Sequence, residues 1–404
     1  MFSTILKNFH LDRIPREIVI MWLVIFGLCG ILFLLIDFSS EETGILKTPS
    51  GEHATTPTLE PRLANIGAGS TTITPLYASM SKVFFHEKSH LNQEQYKYIP
   101  LNSEVGLDML KHGKVGYVSM DRPLTPYERL SLDAFQFPTL IYGVTIAVNI
   151  PGIEDRQLRL SRKTLPDIFL GKITRWNDPK LAADNPELTL PDLEIVLLHP
   201  STDSDITFTM TNYLSVISAE WANNVGRGMG VKWPVGIGET DDPDIGHKIE
   251  NTLGGIGFFE SGFISQYKIS SVLLENASGR YVAPIHSAID ACIPFFDENV
   301  FYDYSEVQAR LPGPECYPLV GMNYTVVLLN RSPTLEQTTC IAEFWEIISW
   351  MFDHGDLAEE MGTIASFLPQ RFLKKIYEEY ARESRASPEN NMGSDGAEEI
   401  YSEF

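Results

Sequence analysis

The sequence predicts an α/β protein of more than one lobe, carried behind an apolar N-terminal segment. Three observations predict it. The chain has 404 residues, more than one hydrophobic core accommodates. Short apolar runs alternate with amphipathic stretches through the body of the chain, the pattern of strands followed by helices. Residues 18–36 form an uninterrupted apolar run.

That run is the first element. At 1.5 Å per residue it spans roughly 28 Å, enough for a bilayer core. Lys7, Arg13 and Arg16 precede it, and Asp37, Glu41 and Glu42 follow it. The positive-inside rule then makes residues 1–17 a short cytoplasmic segment and puts the large C-terminal part on the exoplasmic or periplasmic side. A cleaved signal peptide is the rival reading. Its apolar core is only about 7–15 residues and ends in small residues, whereas this run ends in Leu34, Leu35 and Ile36. Cys29 lies within the run and reads as a small hydrophobe; the bulky Leu28 before it and the apolar residues after it do not suit lipidation. A retained transmembrane anchor is the expectation. Residues 37–62, rich in Ser, Thr, Pro and Glu, read as a flexible linker. Residues 383–404 are polar and acidic and read as a disordered tail, because they cannot bury enough apolar surface to fold alone.

Between these ends, residues 142–150 (YGVTIAVNI), 194–198 (EIVLL) and 325–329 (TVVLL) read as strands. Ile341, Phe344, Trp345, Ile348 and Phe352 follow helical spacing. Mainly parallel sheets are expected. Open sheets of that kind bind ligands at the carboxyl ends of their strands, so the loops that leave strands and open helices carry the chemistry.

Composition excludes several functions. The formal net charge is -22, and no Lys/Arg cluster offers a face for nucleic acid. None of Cys292, Cys316 and Cys340 forms a CxxC pair, so thiol redox and zinc chemistry lack support. An exported chain accommodates one disulfide, and Cys292 with Cys316 is the expected pair. Three free buried thiols is the rival. No HExxH, P-loop or ordered Ser-His-Asp motif is present, so no enzyme, cofactor or metal centre is expected. Asn276, Asn323 and Asn330 each begin an Asn-x-Ser/Thr triplet, a pattern frequent by chance.

Residues 67–77 read GAGSTTITPLY. The glycines permit a tight strand-to-helix turn, and Ser70, Thr71 and Thr72 place hydroxyls beside unpaired helix N–H groups, a setting that suits an anion. Residues 135–152 (FQFPTLIYGVTIAVNIPG), 164–179 (TLPDIFLGKITRWNDP) and 221–238 (WANNVGRGMGVKWPVGIG) follow in order. Together these stretches resemble the periplasmic phosphate-binding proteins of bacterial ABC phosphate importers, the PstS-like family. The resemblance implies a two-lobed type II periplasmic-binding-protein fold. Residues 63–147 and 323–382 would form lobe 1 and residues 148–322 lobe 2. Crossing segments near residues 148–151 and 324–328 would act as the hinge, and ligand would sit in the cleft between the lobes.

The same resemblance assigns ligand positions residue by residue. Thr71, Ser103, Asp121 and Ser204 match the family's phosphate-binding positions. Others diverge. Thr72 stands where the family has Phe, and Glu104 where it has a small residue. In the third loop the family's Arg-x-Asp-Gly-Ser-Gly-Thr-Thr is replaced from Pro200 onward. Pro200 takes the place of the phosphate-binding Arg, Thr202 that of its Asp partner, Asp203 and Asp205 those of two glycines, and Ile206 that of a hydroxyl. Losing a bidentate Arg removes charge and geometry that no neutral residue replaces. A carboxylate about 5 Å from a bound anion costs on the order of 3 kcal/mol at an effective dielectric of 20.

Asp203 or Asp205 is expected to cap the helix that follows, accepting backbone N–H groups within the loop. Arg122, beside Asp121, and His199, before the altered loop, are the candidates to compensate. Arg122 is expected to face solvent. A minor reading groups His199 with Asp121, Asp203 and Asp205 as a cation site. The favoured function is a membrane-anchored binding-protein fold with a degraded phosphate site, acting as a non-enzymatic structural or interaction module. The alternative is a working receptor for phosphate or another small ligand in ABC-type transport. The partners are then the membrane, through residues 18–36, and a membrane protein complex or transporter.

Overall fold

In the computed structural model, the described residues are 65–88, 96–240, 242–329, 335–360 and 364–385. The expected cytoplasmic segment, anchor and linker, and residues 386–404 of the expected tail, lie outside them. Among the described residues, no helix is long and apolar enough to cross a membrane.

The strands are β1 (Ile66–Gly69), β2 (Lys97–Pro100), β3 (Tyr117–Met120), β4 (Ala134–Val148), β5 (Arg159–Leu160), β6 (Val196–Pro200), β7 (Ile237–Glu239), β8 (Gly255–Glu260), β9 (Ser270–Ser271), β10 (Leu273–Glu275), β11 (Tyr281–Val282), β12 (Val320–Leu328) and β13 (Ala365–Phe367). The helices that matter below are α1 (Thr74–Glu87), α2 (Ser103–Lys111), α3 (Pro126–Leu132), α4 (Asp205–Ile217), α5 (Leu335–Asp353) and α6 (Gln370–Arg385).

One sheet runs β2-β1-β3-β12-β4-β8-β6-β7, with β13 and β9 also pairing to β4. Its two ends are parallel: β1 with β2 and β3, and β6 with β7 and β8. Its middle is antiparallel, because β12 and β4 run against each other and against β3 and β8. The sheet is therefore mixed, which corrects the expectation of mainly parallel strands. Strands buried on both faces read as continuous apolar runs whichever way they point. β4 is such a strand, buried along all of its 15 residues. It pairs with β12 from Ala134 to Gly143 and with β8 from Val144 to Val148. The change of partner at Gly143 and Val144 falls before the segment expected to act as a hinge.

The helices form for local reasons. α4 buries Ile206, Met210, Tyr213 and Leu214, a stripe at helical spacing. α5 buries Phe344, Trp345, Ile348 and Phe352, the apolar positions read from the sequence. The chain after β12 returns to the first strands. β13 pairs with Leu140–Tyr142 of β4, and Glu343 accepts from Asn65 (2.7 Å) and Tyr96 (3.0 Å). α6 continues to Arg385, three residues into the stretch read as a tail. Glu383 is the reason: it accepts from Arg129 at 3.5 Å and from the Tyr302 hydroxyl.

Cys292 and Cys316 form a disulfide with Cα atoms 4.7 Å apart, the pair expected. Asn276 is buried and donates to the carbonyls of Gly313, Pro314 and Cys316 at 3.0–3.1 Å. A glycan there is incompatible with the fold.

Candidate functional site

Four chain segments meet at the carboxyl ends of β1, β3 and β6. Two glycines bring the first segments together. Gly69 adopts φ +116°, and a Cβ there would lie 2.1 Å from the Ser119 carbonyl. A Cβ on Gly106 would lie 2.8 Å from the Gly69 Cα. With glycine at both positions, α2 packs directly on the β1 turn. Ser70 N–H then donates to the Ser119 carbonyl at 2.8 Å.

Asp121 is the centre of the arrangement. It follows β3 and is 2% exposed. One carboxylate oxygen accepts from the Ser70 hydroxyl at 2.5 Å. The other accepts from the Asn323 amide at 2.6 Å. Asn323 accepts in turn from the Ser119 hydroxyl at 2.6 Å. It sits where the β12–β4 register slips between Asn323 and Tyr324, and a bulge of that kind re-aims a side chain. The Asp121 N–H donates to the Ser103 hydroxyl at 3.3 Å. Burial pushes the Asp121 carboxyl up, against hydrogen bonds from Ser70, Asn323, Thr72 and Tyr142 that favour its charged form.

Asp205 comes to this centre from the far side. It is the first residue of α4, yet its carboxylate leaves its own helix and accepts the Ser103 N–H of α2 at 3.3 Å. The cap of α4 is Ser204, which accepts from Thr207 N–H at 3.4 Å. This corrects the expectation that an aspartate caps the loop. Serine in the extended conformation is as good a cap as aspartate, which leaves Asp205 free to reach across. Its other oxygen, Oδ1, is buried without a hydrogen-bond partner, as is the Thr207 hydroxyl. Burial, and then the charge on Asp121, push Asp205 up to about 8. Tyr142, hydrogen-bonded to the Thr209 hydroxyl at 3.0 Å, is raised well above its ordinary range by burial and by Asp121, Asp205 and Glu260.

The remaining sequence candidates fall in three places. Thr71 is exposed, and its neighbour Ser70 holds Asp121 instead. Thr72 N–H donates to the Ser70 hydroxyl at 3.1 Å. Glu104 pairs with Arg122, Nη2 to Oε1 at 2.6 Å, and Glu128 of α3 takes the same guanidinium at 2.8 Å. Arg122 therefore faces neither open solvent nor Asp121. It is clamped between two glutamates, and although burial opposes it, Arg122 holds Glu128 down to about 2. Ile206 is buried in the core.

Pro200, Thr202, Asp203 and His199 line a separate cavity of about 480 Å³ with Lys232 and Trp233. His199 stacks on Trp233 at 4.7 Å and bonds the Pro200 carbonyl through Nδ1 at 2.9 Å, and burial lowers its pKa. Asp203 covers Gly230. His199 and Asp203 are thus engaged away from Asp121. Among the described residues, no group of three or more His, Cys, Asp or Glu side chains could hold a metal ion, so the minor cation reading is not supported.

Sequence reasoning missed Asn323, Tyr142, Thr207 and Thr209. Asn323 left a signal, a polar residue inside the apolar run of β12. Thr207 and Thr209 left none beyond their place in the first turns of α4.

A sheet of this order, with its polar centre at the strand ends, is the architecture of a solute-binding protein, and the PBP superfamily domain matches residues 54–327. The phosphate-binding protein PstS of Xylella fastidiosa is 32% identical over 318 residues, covering 78% of this chain and 85% of that protein. The PstS of Haemophilus influenzae is 32% identical over 300 residues, covering 74% and 87%. The chain belongs to this PstS family, whose members are binding receptors and not enzymes. Solved structures agree on the fold. A high-affinity periplasmic phosphate-binding protein bound with phosphate aligns with TM-score 0.55 at 17% identity, covering 83% of this chain and 96% of that one. The phosphate-binding protein of Stenotrophomonas maltophilia aligns with TM-score 0.51 at 15% identity, covering 75% and 90%.

Proposed function

We propose that this protein is a membrane-anchored member of the phosphate-receptor family whose anion cradle is filled by its own Asp205. In that role it binds phosphate poorly at neutral pH and acts as a non-enzymatic interaction module. Residues 18–36 anchor it, residues 63–147 with 323–382 form one lobe, and residues 148–322 form the other. The strands β4 and β12 pass between the lobes.

The observation that carries the reading is the Asp205 carboxylate at the Ser103 N–H. Ser103 opens α2, and the N-terminus of a helix is where an anion gains most from unpaired donors. The Asp205 carboxyl already occupies that place. Two further features support it. The cation beside Asp121, Arg122, does not stand in for the Arg replaced at Pro200, because it is held by Glu104 and Glu128. A phosphate entering the cleft would also have to displace the Asp205 carboxyl from the Ser103 N–H, and any facing carboxyl that ionised at about 5 Å would oppose it by about 3 kcal/mol.

The alternative is a working receptor for phosphate or another small ligand in transport. Ser70, Ser103 and Asp121 favour it, since they form a hydroxyl-rich cradle around one carboxyl. Titration calorimetry of the full chain with inorganic phosphate at neutral pH separates the two. The self-filled cradle predicts a Kd no tighter than about 1 mM, equivalent to about 4 kcal/mol. Micromolar binding would establish the working receptor instead.

A further inference from the structure

We propose that Asp205 is a proton-dependent latch. Protonated, it holds α4 against α2 across the cleft; deprotonated, it lets them part. The proposal rests on the reading that Asp205, and no bound anion, fills the cradle.

The contact joins residues 102 positions apart, one in each proposed lobe, so on that division it bridges the cleft and does not merely finish a local turn. Its surroundings favour a neutral carboxyl. Asp121 faces it from the end of β3 and Glu104 from α2. Tyr142 of β4 adds a neutral phenol, itself within reach of Asp121, Asp205 and Glu260 at the end of β8. None of these groups is positive. Arg122, the neighbouring cation, is spent on Glu104 and Glu128. Hydrogen bonds from the Ser103 side chain and backbone favour the charged form, but burial beside other acids outweighs them, so an ionised Asp205 would be a costly buried charge. Opening the cleft returns the carboxyl to water, where it ionises in the ordinary carboxylate range.

The sign follows. A group raised in the closed state stabilises that state fully below its ordinary value, near 4. The advantage is lost as pH rises to its closed-state value of about 8. Linkage to one proton sets the slope at no more than tenfold per pH unit within that window, with a plateau above it.

Hydrogen exchange of the full chain without phosphate tests this. The readout is protection of the Ser103 amide and the first turn of α2, corrected for intrinsic exchange. We expect protection to fall close to tenfold per unit between about pH 5 and about pH 8 and then level. Asp205→Asn keeps an acceptor but cannot ionise, and should be level throughout. A flat wild-type profile, or an Asn variant that falls as steeply, overturns the latch. If that variant does not fold, infrared difference spectroscopy of the wild type against Asp205→Ser decides: a buried protonated carboxyl band present near pH 6, gone near pH 9 and missing from the variant supports the latch, and a band unchanged in the variant, or absent near pH 6, overturns it. Tight phosphate binding by calorimetry would sink the self-filled cradle separately, leaving the slope to judge the proton.

Discussion

Replacing Asn323 with leucine tests whether the cradle is held as a network. Asn323 is fully buried, and leucine is close to it in size, so the change removes polar atoms with little change of volume. Two 2.6 Å hydrogen bonds disappear. Asp121 loses one of its two close side-chain donors, a bond to a group with charged character, worth about 1.5–3 kcal/mol. The Ser119 hydroxyl loses its acceptor in a dry site, costing about 1–3 kcal/mol. The sum, about 4 kcal/mol, should appear as a lowered midpoint in urea unfolding followed by tryptophan fluorescence. The lost donor favoured the carboxylate, so Asp121 in the variant keeps its proton to higher pH than in the wild type. The gap between the proteins should widen as pH rises through the wild-type value of Asp121 and narrow in acid. A loss under about 1 kcal/mol at neutral pH, the size of one ordinary hydrogen bond, would show that Asn323 does not hold Asp121.

Two other predictions concern the staple and the altered loop. The disulfide closes a loop of sequence separation 24, so replacing both Cys292 and Cys316 with alanine should lower stability by about 3.5 kcal/mol, measured in the same unfolding assay. The combined change Pro200→Arg, Thr202→Asp, Asp203→Gly and Asp205→Gly should raise phosphate affinity in calorimetry, by at least two decades near pH 9, where Asp205 is ionised in the wild type and removing that facing carboxylate relieves about 3 kcal/mol.

Much of the fold was legible because it is written in periodicity and in long motifs. The runs at residues 142–150, 194–198 and 325–329 fall on β4, β6 and β12, and the helical stripe ending at Phe352 falls on α5. Strand direction was not legible, since a fully buried strand carries no alternation to orient it. The sequence pointed to the loops that meet at Asp121 but not to the hydrogen bonds among them. Among Ser70, Thr71 and Thr72, the backbone turn at Gly69 decides which hydroxyl is buried against Asp121, and it is Ser70. The role of Asp205 was hidden for a different reason. Sequence can tell that an acid begins a helix, and capping is what such an acid usually does. That Ser204 would take the cap and release Asp205 to a helix 102 residues away is a tertiary outcome. Arg122 is similar: its partner Glu128 is tied to Thr125 in a capping box, and that small motif is what aims the glutamate at the guanidinium.

The long buried strand β4 also bears on how the chain comes into being. Its partner β12 lies about 180 residues further along, and β13 further still. At roughly 5–20 residues per second of synthesis, β4 waits on the order of 10–40 s for the strands that cover it. During that time a stretch rich in apolar and aromatic side chains stands open to any other chain with a free strand edge. Slowing synthesis between β8 and β12 lengthens that interval and should increase aggregation without altering a single contact in the folded molecule.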